Sequence, residues 1–160
     1  KPGMDTSAVV FQTAFDFSNR EYNPRECVNN MIFSGVFERF PKLKVGVIEF
    51  EIAWAPYFIN RMDEFYKQRP TGVQLTRFKN DMLPSDFFRN NVFIGFQEDD
   101  LGIQLRHHIG VETLLWGSDY PHAECEFPRS PARVKGWESI PPESMKKLMW
   151  DNAAKFFRRS

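Results

Sequence analysis

The sequence has few of the residues from which proteins build metal cages and disulfide frameworks. It contains three histidines, His107, His108 and His122, and two cysteines, Cys27 and Cys125. Two cysteines make neither a disulfide framework nor a metal cluster, which favours a reduced, intracellular setting. Because imidazole is the commonest ligand of catalytic zinc, the scarcity of histidine by itself argues against a metalloenzyme.

Net charge and long apolar runs are also missing. The 21 Lys and Arg residues balance 21 Asp and Glu residues, and a chain without a basic excess is a poor bulk electrostatic partner for nucleic acid. No run of about 20 apolar residues occurs, so we expect no membrane span. No apolar segment suited to a signal peptide follows Lys1, so the predicted location is the cytoplasm.

Several catalytic and nucleotide-binding motifs are absent as well. The sequence contains no Gly-x-Gly-x-x-Gly, no P-loop, no Gly-x-Ser-x-Gly and no Cys-x-x-Cys. Their absence weakens the case for a nucleotide-binding protein or a serine hydrolase.

What the chain does have is an alternation of apolar runs and helical patterns within 160 residues, 42% of them hydrophobic. Apolar runs typical of buried parallel strands lie at residues 44–50, 91–96 and 113–118, with a weaker candidate at 9–13. Helices are predicted at residues 24–40, 56–68, 99–108 and 141–156, the first capped by Asn23. This alternation predicts an α/β fold with a parallel sheet. It fits both an open doubly wound sheet and a (β/α)₈ barrel.

Acidic and polar residues follow each predicted strand. In parallel α/β folds, ligands bind at the carboxyl ends of the strands, so these residues are the first candidates for a site. They are Glu49 and Glu51 after the first strand, Gln97, Glu98 and Asp99 after the second, and Asp119 and His122 after the third.

Asp119 and His122 are the strongest of these candidates, and each has a second interpretation. The Asp119 carboxylate is suited to bind a metal ion or to accept a proton from metal-bound water, and it is equally suited to cap the turn before Pro121. The His122 imidazole could orient a substrate or donate a proton, or bond to the backbone of its own loop. His107 and His108 are adjacent on a predicted helix and point in different directions, so we do not expect them to bind a metal.

The remaining candidates are Glu49 with Glu51, Trp54, and two arginines. Strand alternation predicts that Glu49 and Glu51 share one face, either as ligand or substrate-positioning groups or as paired rim acids. The Trp54 ring lines a pocket or belongs to the core. Arg129 and Arg133 either bind an anionic substrate or are solvated.

Three segments of the chain resemble a known family. The first is Ser34-Gly-Val-Phe-Glu-Arg-Phe-Pro-Lys-Leu-Lys-Val45, with Glu49, Trp54, Pro56-Tyr57 and Arg61-Met-Asp63 after it. The others are Leu115-Trp-Gly-Ser-Asp-Tyr-Pro-His122 and Trp150-Asp-Asn-Ala-Ala-Lys-Phe156. In this order and spacing they resemble the amidohydrolase-related family, in the branch of aminocarboxymuconate-semialdehyde decarboxylase and related aromatic-acid decarboxylases. The likeness covers most of the chain.

The resemblance implies a metal-dependent (β/α)₈ barrel, usually with zinc, in which residues 44–50, 91–96 and 113–118 are strands six, seven and eight. It implies that Asp119 binds the metal or takes a proton from its water, and that His122 lies in a loop lining the substrate pocket. Glu49, Trp54 and Arg129 are then the expected substrate-binding residues. A small-molecule substrate, and a homo-oligomer, are the partners to expect.

The sequence also departs from the family pattern. The His-x-His pair of the family's first strand and the histidine of its fifth strand do not occur, and Glu49 stands near the place where decarboxylases often have histidine. Phe50 and Glu51 replace the small residues that follow in many members, which changes the shape of the pocket.

Taken together, we expect residues 1–160 to form a single partial domain, the C-terminal portion of a (β/α)₈ barrel, because a whole barrel needs about 250 residues. The parent enzyme would be a hydrolase or a non-oxidative decarboxylase acting on a small carboxylated or cyclic substrate. Alternatives are a non-catalytic half-barrel that needs a partner or the missing half, and a flavodoxin-like binding module.

Overall fold

The computed structural model describes residues 14–69, 77–122, 125, 127–137 and 139–158. Its sheet has three parallel strands in sequence order, β1 (Val45–Val47), β2 (Val92–Phe96) and β3 (Leu114–Trp116). The three strands were predicted in the right places, although β1 and β3 are shorter than expected. The weaker candidate at residues 9–13 lies outside the described residues.

Helices and tight turns connect and cover the strands. The helices of the described residues are α1 (Ala14–Phe17), α2 (Tyr22–Phe33), α3 (Val36–Arg39), α4 (Ala55–Gln68), α5 (Pro84–Asn91), α6 (Asp100–Gln104), α7 (Arg106–Ile109), α8 (Ser130–Gly136), α9 (Pro142–Lys146) and α10 (Asn152–Phe156). Short 3₁₀ turns occupy Lys79–Asp81 and Val111–Thr113, and a π-helical turn, Lys147–Asp151, joins α9 to α10. No helix in these ranges is long and apolar enough to cross a bilayer.

The predicted helix at 24–40 is wrong as a single element. Gly35 adopts a left-handed conformation (φ 73°) that separates α2 from α3, because a residue in this conformation ends an α-helix and glycine adopts it at little cost. The cap assignment is also wrong: Asn23 lies inside α2, and Glu21 occupies the N-cap position.

The other helix predictions had mixed outcomes. Residues 56–68 are helical as expected, within α4. The predicted helix at 99–108 is interrupted at Leu105 (φ −90°, ψ 3°), which separates α6 from α7, and a π-helical turn interrupts the predicted helix at 141–156. Helix α5 was not predicted. It begins with Pro84 at its first turn, and the Asp86 carboxylate accepts the Leu83 N–H at 2.8 Å, a local arrangement that favours a helix start.

One face of the sheet carries the core. Val47, Ile94 and Leu114 are paired across the three strands on this face and are buried. They pack in one cluster with Phe88 of α5 and Ile59 of α4. Burial of such side chains stabilises the fold by roughly 1.5–3 kcal/mol each, so this helix-covered face holds the three strands together.

The opposite face is built differently. Gly46 and Gly95 lie on it, and the side chains of Phe156 and Ile48 respectively lie where a Cβ on each glycine would point. Phe93, which is paired with Gly46 on this face, contacts the Phe156 ring at a centroid distance of 5.0 Å. Three parallel strands in sequential order are the arrangement of a barrel wall, and they also occur in one half of a doubly wound sheet. The strand order is therefore compatible with both predicted folds, and Phe156 of α10 covers part of the face opposite the core.

Two buried asparagines anchor the segments that lead into the strands. The Asn91 side-chain amide donates to the carbonyls of Pro41 and Leu43 ahead of β1, at 3.1 and 2.7 Å. The Asn152 amide donates to the carbonyls of Val111 and Leu114 at 2.7 and 2.8 Å. Each amide satisfies two backbone carbonyls, which would be costly to bury unpaired.

Candidate functional site

A cavity of about 700 Å³ opens at the carboxyl ends of the strands. Its wall includes the strand-end acids named from the sequence, together with part of α1 and the turn that follows it. The acids are Glu49, Glu51, Glu98, Asp99 and Asp119, and the residues from the α1 side are Phe17, Arg20 and Glu21. The structure thus brings the ends of all three strands into one groove.

Three of the acids in this wall have left-handed backbone conformations. The φ angle is 69° at Glu49, 53° at Glu51 and 58° at Asp119. This conformation costs an L-residue with a side chain about 1–2 kcal/mol, and such strain concentrates at functional sites. The backbone leaves strand geometry at Glu49, so the predicted strand alternation of Glu49 and Glu51 is wrong, and Phe50 lines the cavity as well.

Glu51 and Asp99 join the loops after β1 and β2 by a reciprocal exchange of hydrogen bonds. The Asp99 carboxylate accepts the backbone N–H groups of Ile52 and Ala53 at 2.8 and 2.6 Å. In the other direction, the Glu51 carboxylate accepts the N–H groups of Gln97 and Glu98 at 3.3 and 3.5 Å. Each loop therefore supplies both a carboxylate and the amides that the other loop's carboxylate needs.

The Glu51 carboxyl is perturbed by its surroundings. Desolvation by burial raises its pKa above the ordinary value of 4.5, and the charges of Asp99 and Glu98 act in the same direction. The N–H groups of Gln97 and Glu98 oppose this effect because they stabilise the ionised form. A carboxyl with a raised pKa in a cleft is a candidate for proton transfer.

Asp119 is tied to His122 through two contacts. The His122 N–H donates to the Asp119 carbonyl at 2.8 Å, and His122 Nδ1 lies 3.2 Å from Asp119 Oδ2. Both side chains are partly exposed, Asp119 to 36% and His122 to 54%. The two interpretations of Asp119, as a turn residue and as a carboxylate of the site, are compatible, because Asp119 lies in a turn and also lines the groove.

The two tryptophans at the groove are held by their indole N–H groups. Trp54 Nε1 lies 3.0 Å from the Phe50 carbonyl and 2.9 Å from the Glu51 carbonyl. The Trp54 ring lines the cavity while its edge meets Phe88 of the core. Trp116 Nε1 donates to the Gln97 carbonyl at 3.2 Å, which connects β3 to the loop after β2.

The other sequence candidates lie away from the cavity wall. Arg133 binds Glu98 and Asp100, at 3.1 and 3.2 Å, and so fastens α8 to the loop after β2. Arg129 immediately precedes α8 and is exposed. His107 and His108 are exposed on α7.

The described residues do not form a complete metal site. Within these ranges, no group of three or more His, Cys, Asp or Glu side chains is placed to hold a metal ion. A catalytic zinc ion needs three protein ligands, and the described residues do not bring such a set together. No catalytic step through a metal follows from these residues alone.

Sequence reasoning missed the contribution of α1. Arg20 lines the groove with its guanidinium over the Phe17 ring, 4.9 Å from the ring centroid. The short helix Ala14–Phe17 has too few residues to show a periodic pattern. Only the three-dimensional contact reveals that Arg20 shares the groove with the strand-end acids.

The sequence model of the family described as Amidohydrolase matches residues 8–159. This chain belongs to the amidohydrolase family. The match extends over nearly the whole chain, including all three strands and the groove they form. The family resemblance seen in the sequence motifs is therefore confirmed.

Solved structures of the family share the fold. An amidohydrolase of Mycobacterium avium subsp. paratuberculosis K-10 superimposes with a TM-score of 0.67 at 32% identity, over 82% of this chain and 32% of that one. The 5-carboxyvanillate decarboxylase LigW of Sphingomonas paucimobilis gives 0.68 at 26% identity, over 82% and 38%. A dihydroxybenzoic acid decarboxylase of Polaromonas sp. JS666, solved with manganese and 2-nitroresorcinol, gives 0.64 at 20% identity, over 84% and 39%.

The chain therefore spans about a third to two fifths of these relatives. Its three parallel strands in sequential order are part of a (β/α)₈ barrel, as expected from the sequence.

Proposed function

We propose that this chain is the C-terminal portion of a metal-dependent (β/α)₈ enzyme that acts on a small carboxylated or cyclic organic substrate. The observation that carries the proposal is the groove. There, acidic residues with left-handed backbone conformations converge from two strand ends, at the carboxyl-terminal edge of the sheet, where (β/α)₈ barrels have their active sites. Asp119 is the proposed metal ligand or proton acceptor, with His122 beside it. Glu49 and Trp54, which line the groove, and Arg129, which lies outside its wall immediately before α8, are the proposed substrate-binding residues.

The charges of the groove support a bound cation. Five carboxylates from the strand ends line it, and Arg20 is the cationic side chain among the described lining residues. An anionic substrate would be repelled by these carboxylates unless positive charge offsets them. A divalent metal ion, with zinc or manganese as the candidates, would supply that charge and act as a Lewis acid.

The reaction we favour is non-oxidative decarboxylation, with hydrolysis as the alternative. The 26% identity to a 5-carboxyvanillate decarboxylase supports the first. The 32% identity to a protein known as an amidohydrolase supports hydrolysis as the alternative. Product analysis separates them, because a decarboxylase releases CO₂ and a hydrolase consumes water.

The test is Asp119→Asn in a protein that joins this chain to the remaining strands of the barrel. We expect turnover of a carboxylated aromatic substrate to fall by at least about 100-fold, a loss in the range of other catalytic groups. The matched control is Asp86→Asn, because Asp86 accepts the Leu83 N–H just before α5 and does not line the groove. Unchanged turnover in Asp119→Asn would overturn the assignment.

A second candidate function is a non-catalytic half-barrel. It is favoured by the incomplete set of metal ligands in the described residues. Metal analysis of the purified chain of 160 residues distinguishes the two. Stoichiometric zinc or manganese on the chain alone contradicts the half-barrel, whereas a metal-free chain that gains metal only with the rest of the barrel supports it.

A further inference from the structure

The loop between β1 and α4 carries two of the three groove acids that have a left-handed backbone conformation. Glu49 and Glu51 are both left-handed, and both line the cavity together with Trp54. A loop with this much unfavourable backbone geometry keeps its shape only if surrounding contacts hold it.

Asp99 makes the strongest polar contacts to this loop. One of its carboxylate oxygens, Oδ2, accepts both the Ile52 and the Ala53 N–H, at 2.8 and 2.6 Å. The other oxygen, Oδ1, accepts the Gly102 N–H at 2.7 Å and caps α6. Hydrogen bonds to a charged acceptor are about twice as strong as neutral ones, and these three are short and partly buried.

The packing around Asp99 leaves it little freedom. A Cβ added to Gly102 would overlap Ile52 Cγ1 and come within 2.6 Å of Asp99 Oδ2. Ile52 is itself fully buried. The glycine thus allows the loop, the carboxylate and the first turn of α6 to meet at one point.

We propose that Asp99 is a positioning residue of the groove, which holds the loop of Glu49 and Glu51 in its left-handed conformation by accepting the N–H groups of Ile52 and Ala53. Its importance for turnover rests on the proposed function, whereas its effect on the loop does not. Asp99 acts through the backbone of the loop and has no assigned contact with substrate.

Amide hydrogen exchange on the purified chain tests the effect on the loop. We expect Asp99→Ala to speed exchange of the peptide covering residues 48–54 by about tenfold or more, since each 1.4 kcal/mol of lost protection is a factor of ten. The matched control is Asp100→Ala, on the same helix, whose carboxylate binds Arg133 and Trp137. It should leave exchange at 48–54 unchanged.

A second variant covers the case in which Asp99→Ala does not fold. Asp99→Asn has the same shape but only one acceptor oxygen. Its NH₂ group must therefore face either the N–H groups of Ile52 and Ala53 or the N–H group of Gly102. We expect faster exchange at 48–54 in this variant too, by a smaller factor. Exchange that changes only at residues 99–104 would mean that Asp99 is a helix cap alone and would overturn the proposal.

Kinetics in a protein that carries the whole barrel separate this inference from the proposed function. If the function is as proposed, Asp99→Asn should raise KM more than it lowers kcat, because the displaced loop carries Glu49 and Trp54, two of the proposed substrate-binding residues. If no turnover is found even without substitution, the proposed function fails, and the exchange result still decides the role of Asp99.

Discussion

His122 Nδ1 lies 3.2 Å from Asp119 Oδ2, and the His122 backbone N–H closes the same turn onto the Asp119 carbonyl at 2.8 Å. The carboxylate that the family resemblance marks as a metal ligand is therefore oriented by a neighbour three residues along the chain. Groups that orient a metal ligand tune both its direction and its basicity.

Replacing this neighbour should weaken metal binding without removing a ligand. In a protein carrying the whole barrel, we expect His122→Ala to lower the affinity for Mn²⁺ or Zn²⁺ by about 10–100-fold, measured by calorimetry. His107→Ala, an exposed position on α7, serves as the control. Equal affinities in the two variants would show that His122 does not orient Asp119.

The raised pKa of Glu51 predicts a stability gain on removing its charge. Between its ordinary pKa of 4.5 and its higher folded-state pKa, the folded protein binds the proton more tightly. Ionisation therefore lowers the free energy of unfolding as the pH rises through this window. Glu51→Gln keeps an acceptor oxygen, so we expect it to be more stable than the unsubstituted chain at about pH 7 and nearly equal at about pH 4.

Glu112 provides a comparison, because its pKa is shifted in the opposite direction. The stability of the Glu51 and Glu112 variants is measured by urea unfolding. Its hydrogen bond with Lys147 lowers its pKa below 4.5, so its contribution is present above that value and is lost as the pH falls through the lowered pKa. Glu112→Gln should then be less stable at neutral pH. A Glu51→Gln variant that loses stability at neutral pH would contradict the burial effect.

The close contact at Gly102 predicts a specific cost for a single methyl group. Gly102→Ala forces Ile52 or the Asp99 carboxylate to move, and overpacking of this kind costs roughly 1–3 kcal/mol. Gly136→Ala adds the same group in α8, where nothing lies within 4 Å of the new Cβ. For Gly136→Ala we expect the free energy of unfolding to increase by about 0.5 kcal/mol. Chemical denaturation that gave the two variants equal stability would rule out this contact.

The buried Asn152 amide predicts a large loss on truncation. Asn152→Ala leaves the carbonyls of Val111 and Leu114 without this donor, which should cost roughly 2–4 kcal/mol of unfolding free energy. Asn60→Ala, at an exposed position of α4, should change stability by less than about 0.5 kcal/mol. A small effect at Asn152 would mean that other donors or water replace the amide.

The strands and the long helix α4 could be predicted from the sequence because their patterns are local. The apolar run ending at Phe96 and the helical spacing through Tyr66 express burial directly in residue order. The break at Gly35 was missed because the periodicity of apolar residues continues across it. Helix α5 was missed because its eight residues are too few for the pattern to be distinct.

The site was predicted less completely. Asp119 and Glu49 could be named because strand ends collect ligands, and the structure places both in one groove. The exchange between Glu51 and Asp99 joins positions 48 residues apart, and the conformation of Glu51 depends on that contact. Arg20 comes from the turn after α1, whose position is set by tertiary packing. Contacts between residues far apart in the chain, such as these, cannot be predicted from a local sequence pattern.

The three acidic residues with a left-handed backbone conformation limit how far this protein can be stabilised by substitution. At Glu49, Glu51 and Asp119, glycine is the residue that would relax the backbone, so an optimisation that scores folding alone would replace all three. Each replacement would relieve the strain of the backbone and remove a carboxylate from the groove, and at Glu51 it would also remove the acceptor of the Gln97 and Glu98 N–H groups. A library screened only for thermal tolerance should thus enrich variants with an uncharged groove, and a second selection on ligand binding would be needed to keep the acids.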